Sequence, residues 1–152
     1  MTTVEQAPPM SADAALLAEL AEALRRVRQG DFKVRLSRRT GIAGEVVDNF
    51  NDVIELQERR NRELLRISRV VGREGRMTER VDEEHYDGDW ALGVRAVNSL
   101  IDDLGRPTTE IARVIVAVAE GDLSQKMANE IEGRPLRGEF LRIGRAVNTM
   151  VD

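Results

Sequence analysis

Apolar residues recur along this chain at spacings of three and four, and three times a glycine ends the pattern. Leu17, Leu20, Leu24 and Val27 form the first stripe, with Asp13 as candidate N-cap and Gly30 just past the last apolar residue. Such a glycine takes the left-handed C-cap conformation without a Cβ penalty. A second helix is predicted from about Glu45 to Val71, through Val46, Phe50, Val53, Ile54, Leu64 and Ile67. A third begins near Trp90 and carries the cleanest heptad: Val97, Leu100, Leu104, Pro107, Ile111, Val114 and Val118. Pro107 removes a ladder hydrogen bond and is expected to kink or restart this helix. Val114 to Val118 alone could be a buried strand, but the surrounding heptad favours a helix. A fourth helix is predicted from about Phe140 and reaches Asp152 without a stop signal, which reads as part of something longer.

Between these helices one frame is repeated. Gly30, Gly75 and Gly121 lie 45 and 46 residues apart, each with apolar residues at +2 and +6: Phe32 and Leu36, Met77 and Val81, Leu123 and Met127. Each is followed by an apolar-Asn-x-apolar-apolar run containing Asn51, Asn98 or Asn148. A fixed period in this range marks an array of similar units. The +2 and +6 residues are too few for a core of their own and are expected to tuck as pegs against the helices they join. The asparagines are expected to bond locally near the seam, where a polar residue can set register. The division is a leader at 1–12, expected to be disordered, and units at 13–60, 61–106 and 107–152, the last with a truncated second helix.

The middle copy is out of step. Ten, six and three residues before the glycine, the first copy has Leu20, Leu24 and Val27, and the third has Ile111, Ile115 and Val118. The middle copy has its apolar Leu64, Ile67 and Val71 at eleven, eight and four. Either one extra residue is absorbed locally, or the middle unit packs in a different rotational state.

Composition narrows the function. Aromatic residues are 3% and charged residues 33% of 152, the balance of a helical array and a poor one for aromatic-lined pockets. Cysteine is absent and histidine occurs once, which excludes disulfides, thiolate metal sites and His-rich clusters. The longest apolar run is six residues, Val114 to Ala119, and nothing resembles a signal peptide, so a cytoplasmic chain without a membrane segment is expected, at the membrane's inner face if the full protein is anchored. Net charge is −4, against nucleic acid as partner, and the seven Lys and Arg between Arg25 and Arg39 read as a solvated face.

The frame resembles the HAMP domain, the signal relay of bacterial receptors and sensor kinases. Val118 to Met127, with Gly121-Asp122-Leu123, and Val147-Asn148-Thr149-Met150-Val151 are the closest stretches, similar to the poly-HAMP arrays of soluble hybrid histidine kinases. The resemblance covers roughly residues 13–152. It implies an all-α fold of tandem helix-connector-helix units forming parallel four-helix coiled-coil bundles in a homodimer. It also implies an acidic residue opening the second helix, Asp89 in the middle copy and Glu139 in the last, in contact with the connector or first helix. Ile42 stands at that position in the first copy, with Glu45 three residues on, and Gly75-Arg76-Met77 departs from Gly-Asp-Leu.

No residue set points to catalysis, and no cofactor or metal is expected. His85 lies in a predicted connector without a nucleotide-binding motif. Its acidic neighbours lack calcium-loop spacing, Trp90 reads as a packing anchor, and Gly133-Arg134-Pro135 reads as a turn. Two functions remain open. One is a non-enzymatic relay to an output domain such as a histidine kinase, and the other is a passive coiled-coil spacer or dimerisation arm.

Overall fold

A computed structural model describes Pro8 and residues 11–152. Most of the expected leader lies outside the described residues, but Ser11 and Ala12 do not belong to it. Helix α1 is Ala12–Arg28, and the Ser11 hydroxyl accepts from the Ala14 amide at 3.1 Å. Serine therefore takes the capping role expected of Asp13, which sits in the first turn instead.

The remaining elements are α2 (Gly41–Ile67), a π-helical segment (Ser68–Arg73), α3 (Gly88–Ala119), β1 (Glu130–Ile131), β2 (Arg134–Pro135) and α4 (Gly138–Val151). Contacts divide the chain into two units, one through Arg66 and one at Ile67–Asp152. No described helix is long and apolar enough to cross a membrane.

In the first unit, Leu16, Ala23, Val34, Leu36 and Val47 form the core, flanked by Leu20, Val27, Ala43 and Phe50. Leu17 and Leu24, expected in the seam, are 65% and 51% exposed, so this chain's own helix pair covers only half of that stripe. Helix α2 starts earlier than Glu45, at Gly41 with φ +64°. Its first turn passes so close to the connector that a Cβ on buried Gly44 would lie 2.4 Å from the Arg39 carbonyl oxygen.

The second unit, from Ile67, holds most of the second sequence copy and all of the third. Its described core includes Ile67, Val70, Val81, Tyr86, Ala91, Val94 and Ile101 in the second copy. In the third it gathers Val114, Met127, Leu136, Val147 and Val151. Helix α3 passes through Pro107 without a break, and Val114 to Val118 are helical. The Thr108 hydroxyl donates to the Leu104 carbonyl at 2.7 Å beside the proline.

The turn expected at Gly133 is a two-stranded hairpin, with Glu130 opposite Pro135 and Ile131 opposite Arg134. Glu132 and Gly133 have φ of +50° and +76°, the positive pair that a tight two-residue hairpin loop requires.

Candidate functional site

Each asparagine holds a peg by its backbone. Asn51 Oδ1 accepts from the Leu36 amide at 2.8 Å while Nδ2 donates to the Leu36 carbonyl at 3.1 Å. Asn98 does the same to Val81 at 2.8 and 2.9 Å, and Asn148 to Met127 at 2.7 and 3.0 Å. A carboxamide suits this because it offers an acceptor and a donor side by side, matching an extended residue that has no ladder partner. The expectation of local bonding is corrected: the partners lie 15, 17 and 21 residues away.

The clamped residue is the +6 peg in every copy. Leu36, Val81 and Met127 are buried, whereas the +2 residues differ: Phe32 and Met77 are half-buried and Leu123 is 57% exposed. Leu123 therefore departs from its expected burial within this chain. It follows the left-handed Gly121 by two residues, before the connector is fastened at Met127, and no described core cluster includes it.

Four residues before each asparagine, one helical turn away, stand Val47, Val94 and Gly144, all buried. The largest of the three pegs to reach such a position, unbranched Met127, faces the smallest residue. A Cβ on Gly144 would lie 3.3 Å from Met127 Sδ and 3.4 Å from Leu136 Cδ1. Gly144→Val is thus expected to overpack the site and cost about 1 to 3 kcal/mol in chemical unfolding. Adding Met127→Val, which reproduces the middle copy's Val81 and Val94, should recover most of it. A double variant no more stable than Gly144→Val would show that the two positions do not share one space.

The ends of each connector are set by glycine. Gly30, Gly75 and Gly121 have φ of +89°, +72° and +90° at the helix exits. A second set missed in the sequence, Gly41, Gly88 and Gly138, has φ of +64°, +53° and +57° where the next helix begins. Each stands ten residues before the clamp asparagine, a regularity that was available to find it.

After two of the exit glycines an aspartate folds back. Asp31 Oδ1 accepts from the Lys33 amide at 3.0 Å, and Asp122 Oδ1 from the Ser124 amide at 2.9 Å. The Lys33 amide and then the Arg26 guanidinium hold the Asp31 carboxyl below its ordinary value. The Ser124 hydroxyl and amide, with Gln125, do so for Asp122. Depressed values mean that these turns contribute while the carboxylates are ionised and lose that contribution as pH falls through their range. Arg76 occupies the slot in the middle copy and cannot make the turn.

Several expected residues play no part in the clamps. Asp89 is exposed, and Glu139 pairs with Arg142 of its own helix at 3.2 Å, so the acidic contact implied by the resemblance is not among the described ones. Both stand in a first helical turn, where a carboxylate is favoured by the free amides. Ile42 is 75% exposed. His85 is exposed and lies 3.7 Å from Asp82, and Trp90 is half-buried. No described group of three or more histidine and acidic side chains could hold a metal ion.

Two further features escaped the sequence reading. Tyr86 and Leu136 fill equivalent buried slots twelve residues before Asn98 and Asn148, and the Tyr86 hydroxyl has no hydrogen-bond partner. In the first copy the slot holds Arg39, bonded to Glu19 at 2.8 Å. Around the hairpin, Arg106 reaches Glu132 at 3.1 Å and Arg134 reaches Asp103 at 2.7 Å.

Much of the apolar helix surface is unfilled. Leu100, Leu104, Ile115 and Met150 are 57%, 44%, 48% and 56% exposed. An open apolar groove of about 440 Å³ runs along Ile115, Val118, Ala119, Ala146, Val147 and Met150.

Residues 85–152 match the family described as HAMP domain. The matched stretch takes in the Asn98 and Asn148 carboxamides and the whole third connector. A HAMP domain is a signal-transduction linker of sensor proteins, and that is the role the match supports for this stretch.

Proposed function

We propose that the chain is a non-enzymatic signal relay of three tandem HAMP-type units, working as a parallel homodimer. In this reading it needs no cofactor and acts in the cytoplasm. It hands a change of helix packing to an output domain such as a histidine kinase. The observation that carries the reading is the clamp itself: the same two hydrogen bonds, to the same peg, recur in all three copies, though the family match covers only 85–152. A connector fastened to the second helix moves with it, so a displacement of one helix reaches the other through the peg.

Dimerisation is supported by the half-filled stripes. Leu17 and Leu24 on α1, and Leu100, Leu104 and Ile115 on α3, are among the apolar positions that the chain's own helices leave open. A second copy covers them by symmetry. Because cysteine is absent, single substitutions report cleanly on this contact. Leu100→Cys and Ile115→Cys are each expected to form a disulfide between like residues, as parallel in-register helices require. Sedimentation of the parent at low micromolar concentration should give a dimer. A folded, helical monomer would overturn the architecture.

Relay and spacer separate at the output. With a dimeric histidine-kinase domain following Asp152, Asn51→Leu in the first copy should change autophosphorylation under the relay reading. An unchanged rate, with the fold intact, favours the spacer.

A further inference from the structure

Three copies of one frame provide an internal ruler. In the first copy the residue after the exit glycine reaches back across the helix end, the Asp31 amide donating to the Arg26 carbonyl at 3.0 Å. In the third the Asp122 amide donates to the Ala117 carbonyl at 2.9 Å. Both acceptors stand four residues before the glycine. In the middle copy the Arg76 amide donates to the Val70 carbonyl at 3.0 Å, and Val70 stands five residues before Gly75.

The buried layer gives the same count. Ala23 and Val114, 2% and 0% exposed, lie seven residues before their glycines, while Ile67, 6% exposed, lies eight before Gly75. One additional residue therefore sits between the buried layer and the cap of the middle copy. It is housed in Ser68–Arg73, where the helix widens to π geometry. The Glu74 amide donates five residues back to the Arg69 carbonyl at 3.0 Å, and the Arg69 guanidinium meets the Glu74 carboxylate at 2.7 Å across the same turn.

Such turns make up well under 1% of residues and occur mostly as single bulges, often at functional sites. This one has the means to change. Gly72 within it is exposed, and a Cβ there would meet nothing within 4 Å, so no packing requires glycine at that place. Glycine lowers the helical preference of the segment without serving the core.

We propose that Ser68–Arg73 is a one-residue register store, exchanging between this π turn and an α-helical form in which the Glu74 amide bonds Val70 instead of Arg69. The exchange turns Ile67 by about 100° relative to Gly75 and shifts it by about 1.5 Å. The apolar face of the second copy then has two registers against its own connector, and the first and third copies, lacking the additional residue, have one. This deepens the relay reading and rests on it for its use, because a relay needs a bistable element and the sequence supplies this one.

The test is hydrogen exchange on the full chain, together with deletion of Gly72. Amides from Val71 to Gly75 should exchange at least about tenfold faster than their counterparts before Gly30 and Gly121. Deleting Gly72 should slow them to the level of those counterparts and leave the melting temperature unchanged or higher. Deleting Ala112, also exposed but in regular α3, should lower it sharply because every following side chain changes face. Equal exchange in the three copies overturns the proposal, and so does a Gly72 deletion as damaging as that of Ala112. Neither measurement involves an output domain, so the relay can fail in the kinase fusion while the register store stands, or the reverse.

Discussion

Replacing Asn98 with leucine is expected to destabilise the folded chain by about 2 to 4 kcal/mol in urea unfolding, from an amide and a carbonyl left unpaired at about 1 to 3 kcal/mol each. The Val81 groups are partly buried, which puts the sum toward the lower part of that range. Asn98 also donates to Glu83 at 2.9 Å, but that contact is exposed and adds little. Asn98→Asp separates the two halves of the clamp. An ionised carboxylate keeps the acceptor for the Val81 amide, loses the donor, and sets a charge against the Val81 carbonyl. Its cost should fall as the pH drops through the carboxylate range, since the protonated acid restores donor and acceptor together. A loss below about 1 kcal/mol for Asn98→Leu would mean that water serves the Val81 backbone as well as the carboxamide does.

The asparagines show where the sequence was legible and where it was not. Their recurrence beside apolar residues marked them as part of a frame, and the +6 pegs were identifiable because Leu36, Val81 and Met127 keep one distance from their glycines. The partnership itself was hidden. The clamp spans 15, 17 and 21 residues because the connectors differ in length, so no fixed spacing links asparagine to peg. Helix starts were displaced for a related reason. Gly41, Gly88 and Gly138 enter their helices through a left-handed turn, whereas a glycine beside an apolar stripe reads in sequence as a stop signal. The hairpin was missed because its loop puts a glutamate, Glu132, at positive φ, which few non-glycine residues adopt.

Apolar periodicity carried a subtler ambiguity. The stripe Leu17, Leu20, Leu24, Val27 is one seam in sequence, but Leu20 and Val27 pack on the chain's own core while Leu17 and Leu24 stay open. Periodicity records that a face is apolar, not which surface covers it. The offset before Gly75 was visible as arithmetic. Of its two readings, local absorption has a structural counterpart in the π turn at Ser68–Arg73.

Met127 and Leu123 make the sharpest comparison of large effects, because they are the two pegs of one connector in opposite surroundings. Met127 is 3% exposed, lies in the core cluster with Val114, Leu136, Val147 and Val151, and is fastened by Asn148. Truncating it to alanine is expected to cost about 2 to 5 kcal/mol, the range for a buried large side chain, since Gly144 beside it cannot fill the space. Leu123 is 57% exposed in the single chain, and on that surface alone Leu123→Asp should stay within about 0.5 kcal/mol. The proposed dimer reverses this second expectation. If a partner covers Leu123, aspartate there buries a charge without a counterion, and the loss rises to the scale of Met127→Ala. Unfolding both variants at concentrations on either side of the dimer dissociation constant reads the difference: Met127→Ala should be costly throughout, and Leu123→Asp costly only when dimer is present. A Leu123→Asp chain as stable as the parent while fully dimeric would show that the first peg lies outside the dimer's core, leaving the connector to be anchored by clamped Met127 and by Leu136 beyond it.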